Sequence, residues 1–215
     1  MNSCLVALAP KDCPLCPRLV AFRKQNKIKH PDYYNGAVPA FTAPKVKLLI
    51  VGLAPGLHGA NATGRPFTAD YAGDLLYPTL IKYGFAKGEY QERANDGLEL
   101  VDCRITNAVR CVPPENKPLP DEIKTCNQFL KTEIVSLQKD VRVILTLGLI
   151  AHQATLRALG IKQSTSKFAH GAEHQAGDLI ILNSYHCSRY NTNTRRLTEA
   201  MFHAVFAHAR ELCDI

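Results

Sequence analysis

No apolar run in the 215 residues approaches the ~18 that a membrane-spanning helix needs. No charged leader precedes the short apolar stretch at Met1–Pro10, which Lys11 and Asp12 follow at once, so no signal peptide is expected. The chain has neither a GxGxxG pattern nor a phosphate loop ending in Gly-Lys-Ser/Thr, which argues against a small-molecule nucleotide binder. Internal repeats and low-complexity tracts are absent as well. Acidic residues are in deficit, 19 against 26 basic, for a formal charge of +7 and a pI near 9.0. That balance suits a polyanionic partner without identifying one.

What remains is the composition of an ordinary globular protein, 46% hydrophobic and 21% charged, long enough to bury a core unaided. One domain spanning residues 1–215, in the cytoplasm or on its nucleoid, is expected. Eight cysteines in a reducing compartment favour metal binding or chemistry over a disulfide framework.

Four short unbroken apolar runs have the length of buried strands: Val46–Leu53, Leu100–Ala108, Val141–Leu147 and Leu179–Ser184. Helical spacing separates them. Pro120 opens one helix, with Asp121 and Glu122 in its first turn and Ile123, Cys126, Leu130, Ile134 and Leu137 on its apolar side. Gly73–Tyr83, Gly148–Leu159 and the stretch carrying Leu197, Met201, Val205 and Leu212 supply others. Gly84–Gly97 reads as a polar surface loop or short helix, and Lys162–Gly177 as a second such stretch before the last strand. The alternation predicts an α/β fold of three layers, α/β/α, around a central, mainly parallel four-stranded sheet.

Ligands of such sheets sit beyond the carboxyl ends of the strands. A glycine-rich loop follows the first run (Gly52 to Asp70), Asn107 ends the second, and Ser184-Tyr185-His186-Cys187-Ser188 ends the fourth. Taken singly, the loop is a turn, the Asn a helix cap and the His a packed side chain. Their convergence on one sheet edge points to an active site. Separately, Cys13 and Cys16 form C-x2-C, while Cys111 and Cys126 have 14 residues between them. This spacing suits zinc or a 4Fe–4S cluster equally. Cys4, Cys103, Cys187 and Cys213 read as packed or incidental thiols.

The runs GLAPGLHGANATGRPFTAD, TNAVRCVPPENKP and SYHCSRYNTNTRRLTEAM resemble the motifs of the uracil-DNA glycosylase superfamily, specifically its fifth family, the type B enzymes. The resemblance extends from about Cys13 to the last helix. It implies an enzyme that flips uracil, and deaminated bases such as hypoxanthine, out of DNA and hydrolyses the N-glycosidic bond. It implies that Phe67 stacks on the base, that His186 stabilises charge on uracil O2 and that Asn107 reads the base edge. Gly52, Ala54 and Gly56 would line the base site, with Asn61 and Asn191 near the sugar. Ala54 stands where better-known relatives carry an acidic residue, which leaves Asp70 or a backbone carbonyl to orient the water. Asp70 can equally cap the helix that follows it.

The resemblance further implies that Cys13, Cys16, Cys111 and Cys126 hold a 4Fe–4S cluster, tying segment 1–45 to the loop after the second strand. Uracil-containing DNA would be the partner of a monomer, its phosphates met by Arg65, Lys117, Arg189, Arg195 and Arg196. Two positions depart from the family's pattern: Cys187 replaces a proline, loosening the histidine loop, and Ala69 replaces a glycine. A type A enzyme, whose motif carries glutamate where Leu53 stands, and a silent iron–sulfur DNA-binding module are the competing expectations.

Overall fold

The structure is a computed structural model that describes residues 8–214. In chain order the elements are α1 (Pro17–Lys29), β1 (Phe41–Thr42), β2 (Leu48–Gly52), α2 (Ala60–Thr63), α3 (Tyr71–Lys82), β3 (Ala86–Lys87), β4 (Glu99–Leu100) and β5 (Cys103–Asn107). There follow α4 (Pro120–Leu137), β6 (Val143–Leu147), α5 (Leu149–Leu159), β7 (Glu173–Ala176), β8 (Leu179–Ser184), α6 (Arg189–Asn193) and α7 (Glu199–Asp214). Short 3-10 turns occupy Pro114–Asn116 and Gln163–Thr165.

The sheet order is β1-β5-β2-β6-β8-β7. The four strands expected from the apolar runs form its parallel centre, and β1 and β7 add antiparallel edges. These edges escaped the sequence reading because one has only two residues and the other, Glu173–Ala176, is polar. The run Leu100–Ala108 also divides: Leu100 pairs in the separate β3–β4 hairpin, and the sheet strand begins at Cys103.

Unbroken apolar runs are explained by the two covered faces. In β2, Leu48 and Ile50 pack with Leu76, Leu80, Phe202 and Phe206 of α3 and α7. The alternate residues, Leu49 and Val51, pack with Leu130, Ile134 and Ala154 of α4 and α5. Alternate side chains of one strand point to opposite faces, so each face needs its own helix layer. Among the described residues no helix is long and apolar enough to cross a membrane.

Helix α1 has no apolar stripe for a sequence reading to find. Its buried residues, Leu19, Arg23 and Asn26, follow helical spacing, but two of the three are polar. Helix α4 begins as expected, with Pro120 at its first turn and the Glu122 carboxylate accepting from Leu119 N at 2.7 Å.

Candidate active site and cysteine site

Because β2, β5, β6 and β8 run parallel, their carboxyl ends share one edge, and a cleft of about 580 Å³ opens there. That volume suits a small ligand such as a base. Ala54, Gly56, Phe67, Asp70, Asn107 and His186 all line it, as do Asn191, Arg189 and Arg196. Asn107 ends β5 directly opposite Gly52 of β2. A Cβ on Gly52 would collide with both the Asn107 side-chain oxygen and the Phe67 ring. Glycine is therefore what lets these two side chains meet over the strand end. No hydrogen bond occupies the Asn107 amide among the described residues, so its donor and acceptor remain available to a ligand.

Phe67 is 5% exposed, at the bottom of the cleft, and its ring lies 6.0 Å from that of His186 at an interplanar angle of 30°. Burial pushes the His186 imidazole down to about 4, so it stays neutral at physiological pH. A neutral ring offers one N–H donor, the form suited to stabilising a leaving anion without first carrying a proton away. Asn191 donates to the His186 carbonyl at 2.8 Å, fixing the histidine loop.

Of the two roles expected of Asp70, the structure shows the helix cap. It caps α3, accepting from Gly73 N at 3.1 Å, and its side chain also faces the cleft. Burial raises its carboxyl to about 6, outweighing the lowering by the backbone donors of Gly73 and Ala72, and nearby Asp74 adds to the rise. The group is poised to change protonation close to neutrality, as a general base requires.

Several expectations are corrected. Arg65 is not an exposed cation as a phosphate contact would require: it is 5% exposed and forms a bidentate pair with Asp96, at 2.7 Å for both bonds. Asn61 does not line the cleft; it is fully buried and donates to the Asn35 side chain at 3.0 Å. Cys187 does not loosen its loop, since its thiol is fully buried and donates to Ala72 O at 3.5 Å, tying the histidine loop to the turn after Asp70. Ala69 has φ of 58°, which explains the cost of losing a glycine there.

Arg189, Arg195, Arg196 and Lys117 are exposed. Arg189 lies over the Tyr71 ring at 5.0 Å and Arg196 over Tyr185 at 4.6 Å. The sequence reading missed Tyr71, Asn116 and Tyr190, which also line the cleft. Tyr71 had a usable signal as the neighbour of Asp70, whereas nothing local marks Asn116, which is brought in by left-handed backbone at Glu115 and at Asn116 itself.

Cys13, Cys16, Cys111 and Cys126 line one enclosed, almost wholly apolar space beside α1 and α4, and Cys4 lies outside the described residues. No three His, Cys, Asp or Glu side chains among the described residues converge to hold a single metal ion. The donor set nevertheless fits an anionic group spread across the space. Arg23, 6% exposed, has only Cys13 O (3.1 Å) and Cys111 Sγ (3.4 Å) as partners among the described residues, and Arg110 N donates to Cys126 Sγ at 3.4 Å. A buried guanidinium without a carboxylate needs another negative charge, which metal-bound thiolates supply. Without a metal, burial raises Cys111 to about 11 and Cys126 to about 12.

The site is linked to the cleft through the chain between two of these cysteines. Arg18 holds Glu122 at 2.8 Å through both carboxylate oxygens and Lys117 O at 3.0 Å. Helix α1 thereby fixes the turn that carries Asn116 to the cleft rim.

Comparison with known proteins places the same regions in a family context. The sequence model of the uracil DNA glycosylase superfamily matches residues 39–210. The chain is 42% identical over 209 residues to a type-5 uracil-DNA glycosylase of Thermus thermophilus, covering 94% of each chain. It is 40% identical over 212 residues to the type-5 enzyme of Mycobacterium leprae, covering 94% of this chain and 92% of that one. A type-4 uracil-DNA glycosylase of Sulfurisphaera tokodaii is 31% identical over 183 residues, 82% of this chain and 76% of that one.

Proposed function

The chain belongs to the uracil DNA glycosylase superfamily, and on that premise we propose that it is a type-5 enzyme that excises uracil from DNA. The observation that carries this reading is the meeting of Phe67, Asn107, His186 and Asp70 in one cleft at the carboxyl edge of the sheet. A base within a duplex is out of reach, so the nucleotide is flipped into that cleft. Phe67 stacks on the base, and the free amide of Asn107 matches an edge that both donates and accepts hydrogen bonds.

Cleavage of the N-glycosidic bond leaves the electron pair on the base and positive charge on the sugar. The neutral His186 N–H donates to the developing anion at O2. Asp70, as carboxylate, accepts a proton from the water whose oxygen bonds to C1′; the base anion takes up a proton from solvent and Asp70 releases its own, so the products are an abasic site and free base. Asn191 holds the histidine loop, Asn61 holds the turn at Asn35, and Ala54 and Gly56 leave room for the base. Lys117, Arg189, Arg195 and Arg196 meet phosphates. The protein acts as a monomer and as one domain, on DNA in the cytoplasm.

Cys13, Cys16, Cys111 and Cys126 would hold a 4Fe–4S cluster. Such a group supplies a rigid covalent tie and takes no part in the hydrolysis. Cys126→Ser is expected to lose most of the bound iron and to lower the melting temperature. Cys213→Ser, which changes a thiol outside this set, should retain iron. Stoichiometric zinc in the purified wild type, with no iron, would sink the cluster assignment.

The function is tested on end-labelled oligonucleotides carrying one uracil, single-stranded or opposite guanine, treated with alkali after incubation. Cleavage at uracil, and none with a thymine control, is the expected result. Cleavage only with hypoxanthine would make uracil the wrong base. No cleavage with either would favour a DNA-binding module without activity.

A further inference from the structure

The segment between α3 and β5 reads in sequence as a polar surface loop, yet it bonds directly to the backbone around Phe67. Phe67 (φ 56°) and Ala69 (φ 58°) both occupy the left-handed region, which costs a non-glycine residue ~1–2 kcal/mol. Such backbone persists only where its surroundings hold it. The Tyr90 hydroxyl accepts from Ala69 N at 3.1 Å and donates to Phe67 O at 3.4 Å. Its ring stacks on Tyr77 at 4.5 Å, and the Tyr77 hydroxyl donates to Pro66 O at 2.5 Å.

Behind these rings lies Arg65. Its Nε donates to Thr68 Oγ1 at 2.7 Å, its two terminal nitrogens grip Asp96, and its guanidinium lies 5.2 Å from the Tyr77 ring and 5.9 Å from that of Tyr90. The hydrogen bond from Arg65 holds the Asp96 carboxyl down at about 2, so the pair is ionised at every working pH. Asp96 also accepts from Gln91 N at 3.1 Å and Leu98 N at 3.0 Å, which closes the turn that begins immediately after Tyr90. A Cβ on Gly73 would strike both Phe67 O and the Tyr90 hydroxyl, so these groups are pressed against α3 with no space for slack.

We propose that Tyr90, held by the Arg65–Asp96 ion pair, is a positioning residue for base excision that fixes the strained backbone presenting Phe67 to the flipped base. The inference rests on the reading of Phe67 as the stacking residue. The two hydroxyl bonds of Tyr90 converge on the two consecutive peptide groups that follow Phe67, on either side of Thr68, whereas a brace for the core alone would have no reason to meet them. Small misplacements of a group that orients substrate are expensive, of order 10²-fold for ~1 Å.

The test is a double-mutant cycle in single-turnover excision from uracil-containing DNA. Tyr90→Phe keeps the ring and its stack on Tyr77 but removes both hydroxyl bonds. It is expected to slow excision about tenfold in the wild-type background and less than about twofold in Phe67→Leu, because the residue acts through Phe67. Inhibition by free uracil should weaken in Tyr90→Phe as it does in Phe67→Leu, while affinity for abasic DNA stays unchanged. Should Tyr90→Phe not fold, Asp96→Asn carries the same expectation in the same cycle.

Equal slowing by Tyr90→Phe in both backgrounds, or activity within twofold of the wild type, would overturn the proposal while leaving the enzyme's function intact. A wild type without activity on uracil would overturn the functional reading and this one together. Phe67→Leu with full activity would remove Phe67, and Tyr90 with it.

Discussion

Asp70→Asn is expected to slow uracil excision by ~10²–10⁴ and at the same time to raise the melting temperature. Asparagine keeps the cap, because its side-chain oxygen can still accept from Gly73 N. What it removes is a buried negative charge with no cation beside it. The carboxyl of Asp70 is raised from 3.8 to about 6 by burial. The folded state therefore binds more protons than the unfolded state between those values, and stability falls as pH rises through that window. Above pH 6 the ionised carboxylate costs on the order of 3 kcal/mol. The stabilisation in Asp70→Asn should accordingly be full at pH 8 and fade toward pH 4. Thermal melts at both pH values, beside single-turnover rates, check both halves. A variant that is inactive but less stable at pH 8 would mean that Asp70 serves the fold alone.

The same titration shapes the rate profile. Excision by the wild type should fall below about pH 6 as Asp70 takes up its proton, and Asp70→Asn should lack that limb.

For His186→Ala a loss of roughly 10²–10³ in the rate is expected, the cost of one donor aimed at a developing anion. The histidine is held neutral, its imidazole pushed down to about 4 by burial. The loss should therefore be the same at pH 7 and pH 9, and the limb near pH 6 should survive in the mutant. His186→Gln, which restores an N–H donor, should recover part of the rate. If the acid limb vanished in His186→Ala, the titrating group would be the histidine and the roles of the two residues would have to be exchanged. Binding of abasic DNA should be little changed in either variant, since the phosphate contacts are proposed for Lys117, Arg189, Arg195 and Arg196.

Residues that announce themselves by local chemistry were legible in advance. The four central strands could be read because both faces of each are covered, which favours apolar residues at most positions, with exceptions such as Arg104 and Thr106 of β5 paired to Glu133. Helix α4 was legible from Pro120, its acidic first turn and its apolar side. Helix α1 was not, because two of its three buried residues, Arg23 and Asn26, are polar, and Arg23 bonds at the cysteine site. Edge strand β7 was hidden by its polar residues, and β1 by its length.

For the candidate site, the motif loops supplied Phe67, Asp70, Asn107 and His186, and parallel strand order then brought them to one edge. Arg65 shows the limit of that reading. As a basic residue in a site loop it suggests a phosphate contact, but Asp96, 31 residues away, takes both of its terminal nitrogens. Asn61 was misplaced for a similar reason, since its partner Asn35 lies on a different segment.

The sequence by itself determined the α/β class, the loops that line the cleft and the C-x2-C pair of Cys13 and Cys16. Each of these depends on a residue's own type and its near neighbours, whereas Cys111 and Cys126 join that pair only in the fold. The tertiary structure alone decided which polar groups are spent on one another and which are left for substrate. It turned Arg65 inward, set Asp70 in a site dry enough to raise its carboxyl, held His186 neutral and left the Asn107 amide open. Burial and pairing are properties of segments brought together from far apart in the chain, and the free energy of a charge or an amide depends on them more than on its neighbours in sequence.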